Sequence, residues 1–192
     1  MENQFKEMFG AWIAVIGTVT SAIGSTPFKF INSNIRKNLN INRNLLQSIG
    51  NALEADGQRN VSIGNEIQSI GNVTVIFGLT IGLKEETQIK LVIAGNWTQA
   101  LGGLTALSDE FKDASDNAEC LNVIGNLLQI IGNSLQGIGG IYELKSIENE
   151  EQSNKEGKLI GIIGSWVQAV GSVISLIGQI SEAIDELEEN DK

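Results

Sequence analysis

The chain has 192 residues, of which 42% are apolar, and a formal net charge of −10. The apolar fraction is too high for a disordered polymer, and the length suits one domain over residues 1–192, with an acidic tail over residues 182–192. Lys and Arg number only 13 and are scattered, so the composition excludes an ordinary nucleic-acid-binding protein and disfavours passive adsorption to anionic lipid.

Glycine is the most regular feature of the sequence, because most of the 22 glycines follow one another at steps of seven residues. The ladders are Gly10, Gly17 and Gly24; Gly50, Gly57, Gly64, Gly71 and Gly78; Gly95 and Gly102; Gly125, Gly132 and Gly139; and Gly157, Gly164, Gly171 and Gly178. Seven residues make two helical turns, so each ladder forms one stripe on one helix.

Such a stripe lets a neighbouring helix approach closely, which offsets the cost of glycine in a helix, about 0.5–1 kcal/mol per residue. We expect the closest helix contacts at ladder glycines, namely Gly17, Gly50, Gly64, Gly71, Gly102, Gly125, Gly132, Gly164, Gly171 and Gly178. A bulky residue at Gly132 should therefore destabilise the fold far more than one at Gly137, which is off the ladder.

The heptad around each ladder glycine reads Ile-Gly-Asn/Ser-x-Leu-Gln-x. With the apolar residue before glycine at position a, as in Ile49, glycine takes b, Asn or Ser takes c and Gln takes f; positions d, e and g are mostly apolar. This predicts amphipathic helices with an uncharged polar face. A β-roll of short strands is the competing interpretation, but adjacent apolar residues, as in Leu127-Leu128, break strand alternation.

The polar breaks divide the chain into helices predicted over residues 3–24, 36–55, 60–83, 87–108, 116–144 and 157–188. Pro27 ends the first helix, and Asp116 or Asn117 can cap the fifth. Asp56, Arg59 and Asn60 interrupt the apolar face, yet the glycine phase continues through Gly57. Residues 36–83 can therefore form one kinked helix or two helices. We predict an all-α antiparallel array or bundle of five or six repeat-derived helices, packed by nearest neighbours as in other repeats.

Three helices carry a tryptophan two residues after a ladder glycine, at Trp12, Trp97 and Trp166, all at the apolar position d. The simpler interpretation makes them core spacers of the repeat, and the functional one makes them an exposed interface for a partner or a lipid surface.

The repeat pattern resembles a family of uncharacterised repetitive proteins of Bacillus and related Firmicutes. The segments that carry the resemblance are Gly164-Ser-Trp166 through Gly178, Gly10-Ala-Trp12 through Pro27, and Gly50 through Gly57. The resemblance covers most of the chain and implies no activity, because the family has none assigned.

Catalytic chemistry finds little support in the residue types present. The chain has no histidine, and its single cysteine, Cys120, lacks a partner base and is expected to be a small buried apolar residue. The acidic runs are typical of solvated turns and helix ends, and the glycines match no phosphate-binding motif. We therefore predict a protein that is not an enzyme and has no catalytic residues, cofactor or metal.

Two function classes remain. A soluble structural protein that self-associates, or binds an unknown protein partner, fits the small-residue stripes and the apolar last helix. A membrane-inserting bundle fits the charge-free stretches 8–28 and 159–181, and in that case positions c and f should face a water-filled or protein-filled interior. No secretory signal is recognised at the start, so a cytoplasmic location is the default expectation, with membrane association as the alternative.

Overall fold

The computed structural model describes residues 2–29, 31–57, 63–110, 117–149 and 155–190, and in these residues it contains six α-helices and no strand. The all-α prediction is confirmed. The helices are α1 (Glu2–Ser25), α2 (Ser33–Gly57), α3 (Ile63–Thr80), α4 (Glu85–Glu110), α5 (Asn117–Glu148) and α6 (Lys155–Asn190).

The helix ends follow local sequence signals. Asn32 caps α2, because its side-chain oxygen accepts a hydrogen bond of 2.9 Å from the backbone N–H of Ile35. Residues 36–83 form two helices, the first ending at Gly57 and the second beginning at Ile63. Of the two caps predicted for α5, Asn117 is its first residue, whereas Asp116 lies outside the described residues.

The six helices form a closed ring of three antiparallel hairpins, α1/α2, α3/α4 and α5/α6. In the described part of the chain each helix packs on the helix before it and the helix after it, and α1 packs on α6. Of the two arrangements predicted, an array and a bundle, the structure is a closed bundle. Closure pairs α1 and α6 with each other.

Ladder glycines form the contact inside every hairpin. A Cβ atom added to Gly132 of α5 would lie 2.6 Å from the carbonyl oxygen of Gly164 in α6, and one added to Gly164 would lie 2.7 Å from the carbonyl oxygen of Gly132. Gly10 and Gly50 make the same reciprocal contact at 2.6 Å in α1/α2. No side chain fits between backbones this close, so the hairpins require glycine at these positions.

The other predicted packing glycines lie in the same stripes. Added Cβ atoms would meet backbone atoms of the partner helix within 2.9 Å at Gly17, Gly64, Gly71, Gly102, Gly125 and Gly171, and Gly178 is buried in α6.

Contacts between neighbouring hairpins use side chains. Between α4 and α5, Ile130 packs on Gly103 and the indole of Trp97 packs on Gly137. Gly137 is off the ladder and an added Cβ there would meet a side chain, whereas one at Gly132 would meet backbone atoms of α6. The larger destabilisation expected for a bulky residue at Gly132 than at Gly137 stays a prediction. Between α2 and α3, the hydroxyls of Ser48 and Ser69 lie 2.9 Å apart.

Candidate functional site

The polar face of the heptad points into the ring and the apolar face points out. At position c, Asn72 is fully buried and Asn133 is only 2% exposed; at position f, Gln47 and Gln168 are buried as well. Periodicity correctly predicts the two faces of each helix. The ordinary orientation, with the apolar arc as the core, is wrong for most of this chain, since the described buried side chains include more polar than hydrophobic ones.

Arg43 begins a hydrogen-bond chain that crosses the interior. Its Nη1 donates to Ser21 Oγ and, over 2.9 Å, to Gln136 Oε1. Gln136 Nε2 donates to Gln168 Oε1 over 2.8 Å, and Gln168 Nε2 donates to Gln47 Oε1 over 2.9 Å. These side chains come from α1, α2, α5 and α6, so the chain of bonds ties four helices together and closes the interior at this level.

Some buried polar atoms of the interior accept or donate no hydrogen bond to another protein atom. Arg43 Nε, Asn72 Oδ1 and Asn133 Oδ1 are buried and have no hydrogen-bond partner. Among the described residues the guanidinium of Arg43 pairs with hydroxyl and amide oxygens and with no carboxylate. A buried charge and buried amides cost more to desolvate than apolar side chains of the same size.

A small cavity lies inside the ring beyond Gln47, toward the C-terminal end of α2. Its volume is about 20 Å³, which is enough for a single water molecule. Its lining is mostly polar and includes Asn51, Glu54, Asn65 and Gln129. The cavity shows that the interior is not fully filled by side chains.

The outer surface is apolar on every helix. Ile70 of α3 is 61% exposed, and Phe77 on the same helix is 55% exposed. The outward-facing side chains include residues of all six helices: Phe9, Ile16, Leu45, Ile49, Val73, Leu101, Leu104, Ile124, Leu127, Ile131, Ile163, Val170 and Ile177. A soluble monomer rarely exposes apolar surface of this extent.

The first half of α2 is an exception to this surface. Lys37, Asn38 and Asn42 are exposed there, between the exposed apolar residues Ile35 and Leu45 of the same helix. This polar strip interrupts the apolar belt on one side of the ring.

The three tryptophans lie on the outside, where 48% of Trp12 and 42% of both Trp97 and Trp166 are exposed. Their interpretation as core spacers is wrong. Trp166 Nε1 donates a hydrogen bond of 3.0 Å to Thr26 Oγ1, which joins α6 to the end of α1. With Trp97 against α5, two of the three indoles lie where neighbouring hairpins meet.

Charged residues gather at the two ends of the ring. At the end of α1 and the start of α4, Lys90 donates to the carboxylate of Glu86. This hydrogen bond, followed by the attraction between the two charges, lowers the pKa of Glu86 and raises the pKa of Lys90. At the opposite end Lys6 pairs with Asp56 at 2.9 Å.

The remaining predicted features concern cysteine, metals and membrane spans. Cys120 is exposed, which contradicts its expected burial. The described residues contain no group of three His, Cys, Asp or Glu side chains placed to hold a metal ion. Two helical stretches, Phe5–Ser25 and Lys155–Asp185, are long and apolar enough to cross a membrane, a property that buried helices of soluble proteins can share.

Reasoning from the sequence missed the interior network and Arg43. The signal that could have indicated it is that Arg43 takes position b, seven residues before Gly50, where most heptads have glycine. Which face of α2 points inward depends on the ring, and the repeat pattern alone does not specify it.

Comparison with curated proteins and with solved structures gives no significant match. Comparison with family models matches residues 5–176 to one model, described as a family of unknown function (DUF6944). This match includes α2 to α5 completely, most of α1 and α6, and the interior hydrogen-bond chain described above. The chain therefore belongs to this family of unknown function.

Proposed function

We propose that this protein is a membrane-inserted, non-enzymatic helical bundle whose apolar outer surface faces lipid and whose polar interior is a closed path for small polar solutes. The observation that carries the proposal is the reversed placement of the two heptad faces. Ile70 at position a is 61% exposed, whereas Asn72 at position c is fully buried. In lipid this arrangement places apolar side chains in hydrocarbon and polar ones against each other.

The overall composition hides this arrangement. The mean hydropathy of the chain is only +0.03, because each helix contributes both an apolar and a polar face. Averaging along the described residues therefore identifies α1 and α6, and no other described helix, as apolar enough to span a membrane. The hairpin contacts favour the same environment, because small residues that let backbones approach closely are the usual packing device of membrane helices.

Two matched lysine substitutions test the lipid-facing surface. Ile63 and Ile70 both occupy position a of α3, but Ile63 is the first residue of the helix and Ile70 lies one heptad, about 10 Å, further along it. In a membrane, Ile70→Lys should cost about 2.5–3.5 kcal/mol of insertion free energy, whereas Ile63→Lys can extend its amine to the interface.

The measurement is the fraction of protein that remains with membranes after an alkaline wash and that floats with liposomes. We expect the wild type and Ile63→Lys to remain with the membrane and Ile70→Lys to be lost from it. If wild-type protein is monodisperse in buffer without detergent and does not float, or if Ile70→Lys only improves solubility, the membrane proposal is wrong.

The polar interior supports the second part of the proposal. Polar side chains inside a membrane bundle are expensive and commonly mark a solute or ion path. Here the hydrogen-bond chain from Arg43 to Gln47 closes that path, and the positive charge of Arg43 favours anions at the closure. Gln168 is the central member, because it bonds to both Gln136 and Gln47.

Gln168→Ala should therefore open the path, and Val170→Ala is the control on the outer face of the same helix, where Val170 is 51% exposed. In reconstituted liposomes we expect little flux through wild type or Val170→Ala, and a chloride flux larger than the potassium flux through Gln168→Ala. Equal flux through all three proteins, or flux through none, would contradict the closed-path proposal without affecting membrane insertion.

Self-association is a second candidate function, favoured by the polar strip at the start of α2. Asn38 and Asn42 are exposed on the outer face of α2, and amide side chains on a lipid-facing surface are satisfied when they pair with another helix. A second copy of the chain supplies such a helix. In a Cys120→Ser background, Asn42→Cys should then cross-link to a second copy, whereas Ile16→Cys on α1 should not. A strictly monomeric protein in detergent and in liposomes would remove this candidate.

A further inference from the structure

The two ends of the ring differ in their described lysine, arginine and carboxylate side chains. These side chains lie near helix ends, and the antiparallel hairpins place them at one end of the ring or the other. One end, which we call the basic end, contains the α1–α2, α3–α4 and α5–α6 connections. The other, the acidic end, contains the start of α1, the end of α6 and the helix ends between hairpins.

The basic end holds eight of the described lysine and arginine side chains, and the acidic end holds one. The eight are Lys29, Arg36, Lys37, Lys84, Lys90, Lys145, Lys155 and Lys158, and the one is Lys6. The described carboxylates at the basic end are Glu85, Glu86, Glu143, Glu148 and Glu156. Those at the acidic end are Glu7, Glu54, Asp56, Glu66, Glu119, Glu182 and Asp185.

We infer that the bundle crosses the membrane in one fixed orientation, with the basic end in the cytoplasm against anionic headgroups and the acidic end on the opposite side. The inference rests on the membrane insertion proposed above. Lysine and arginine in short loops are retained on the cytoplasmic side, and acidic residues contribute little to this rule. Over the whole sequence the difference is smaller, because Arg59, Lys112 and Lys192 follow α2, α4 and α6 in the chain, the helices that end at the acidic end. Eight basic residues against four still favour this orientation, although the chain as a whole has a net charge of −10.

Headgroup charge acts in the same direction. The cytoplasmic leaflet carries anionic lipid, and each Lys or Arg near its surface gains about 1 kcal/mol. Lys29, Lys37 and Lys84 are exposed at the basic end, where they can reach that surface. This also resolves the apparent conflict between an acidic chain and an anionic membrane. The acidic groups lie at the far end of the ring, beyond the screening distance of the headgroups.

The single cysteine provides the test. Cys120 is exposed in the first turn of α5, at the acidic end, and the chain has no other cysteine. The comparison variant combines Cys120→Ser with Asn149→Cys, which moves the thiol to the exposed residue after α5, at the basic end. Each protein is expressed in a bacterium, and spheroplasts are treated with a membrane-impermeant maleimide before and after disruption.

We expect Cys120 to be labelled equally in intact and disrupted spheroplasts, and Asn149→Cys to be labelled only after disruption. Labelling of Asn149→Cys in intact spheroplasts, alone or together with Cys120, would overturn the fixed orientation. So would protection of Cys120 in a protein that stays in alkali-washed membranes. If the protein instead lies in the soluble fraction, the proposed membrane insertion fails first, and the orientation fails with it.

A charge exchange tests whether the basic residues cause the orientation. Lys37, Lys84 and Lys145 are changed to Gln, and Glu66, Glu119 and Asp185 are changed to Lys. In this background the labelling pattern of the two thiols should reverse or become mixed. An unchanged pattern would show that charge does not set the orientation.

Discussion

The close backbone contact at Gly132 offers the sharpest test of the fold. A Cβ added at Gly132 would lie 2.6 Å from the carbonyl oxygen of Gly164 and 2.6 Å from the backbone nitrogen of Gln168. Ordinary van der Waals contact begins near 3.4 Å. Gly132→Ala therefore forces α5 and α6 apart by several tenths of an ångström, and the neighbouring contact at Gly125 opens with it.

Overpacking of this kind typically costs about 1–3 kcal/mol, and alanine recovers about 0.8–1.0 kcal/mol of helix propensity. We expect a net loss of up to about 2 kcal/mol in the free energy of unfolding. Gly161 is the matched control, because it lies in the interior of α6 and an added Cβ there has no neighbour within 4 Å. Gly161→Ala should stabilise the protein by up to about 1 kcal/mol through helix propensity alone.

The two alanine variants and the wild type are compared by thermal unfolding, followed by circular dichroism in the detergent or buffer that keeps all three monodisperse. Opposite shifts of the melting temperature are expected, downward for Gly132→Ala and upward for Gly161→Ala. A rise for both variants would refute the close glycine packing, because helix propensity would then be the only effect of alanine.

Three further substitutions have expected outcomes in the same unfolding assay. Gln136→Leu removes one of the two hydrogen-bond partners of Arg43 and one of the two partners of Gln168, and should cost about 3 kcal/mol; a loss below about 1 kcal/mol would mean that the buried network does not form. Trp166→Phe removes the indole donor that joins α6 to α1 and should cost about 0.5–1.5 kcal/mol, and an unchanged melting temperature would argue against that bond. Glu86→Gln removes the ion pair at the start of α4. The lysine partner lowers the pKa of the Glu86 carboxyl, so the pair's small contribution to stability is present above the ordinary carboxyl pKa. This contribution is lost as pH falls through the lowered pKa. The stability of the wild type and Glu86→Gln should therefore differ at neutral pH and converge in acid, and a difference that grows in acid would contradict this sign.

The sequence by itself determined the local structure and the phase of every helix. The seven-residue step of glycine, together with Asn or Ser at c and Gln at f, specifies which side chains share a face, because a helix repeats its face every two turns. The polar breaks and Pro27 mark where helices end, since neither a charged connection nor a proline continues a buried helix. The approximate bounds of the helices follow from these local signals, except near Gly57, where the glycine phase continues and the sequence allows one helix or two.

Only the tertiary structure decided which face of each helix points inward. The glycine stripe lies on the border between the polar and apolar faces, so a contact made at Gly132 and Gly164 is compatible with either face as the core. The closed ring selects the polar face, because packing α1 on α6 curves the six helices around Asn72, Asn133 and Gln168. Periodicity contains no information about this choice, since reversing the curvature leaves every heptad position and every glycine contact in place while exchanging interior and surface.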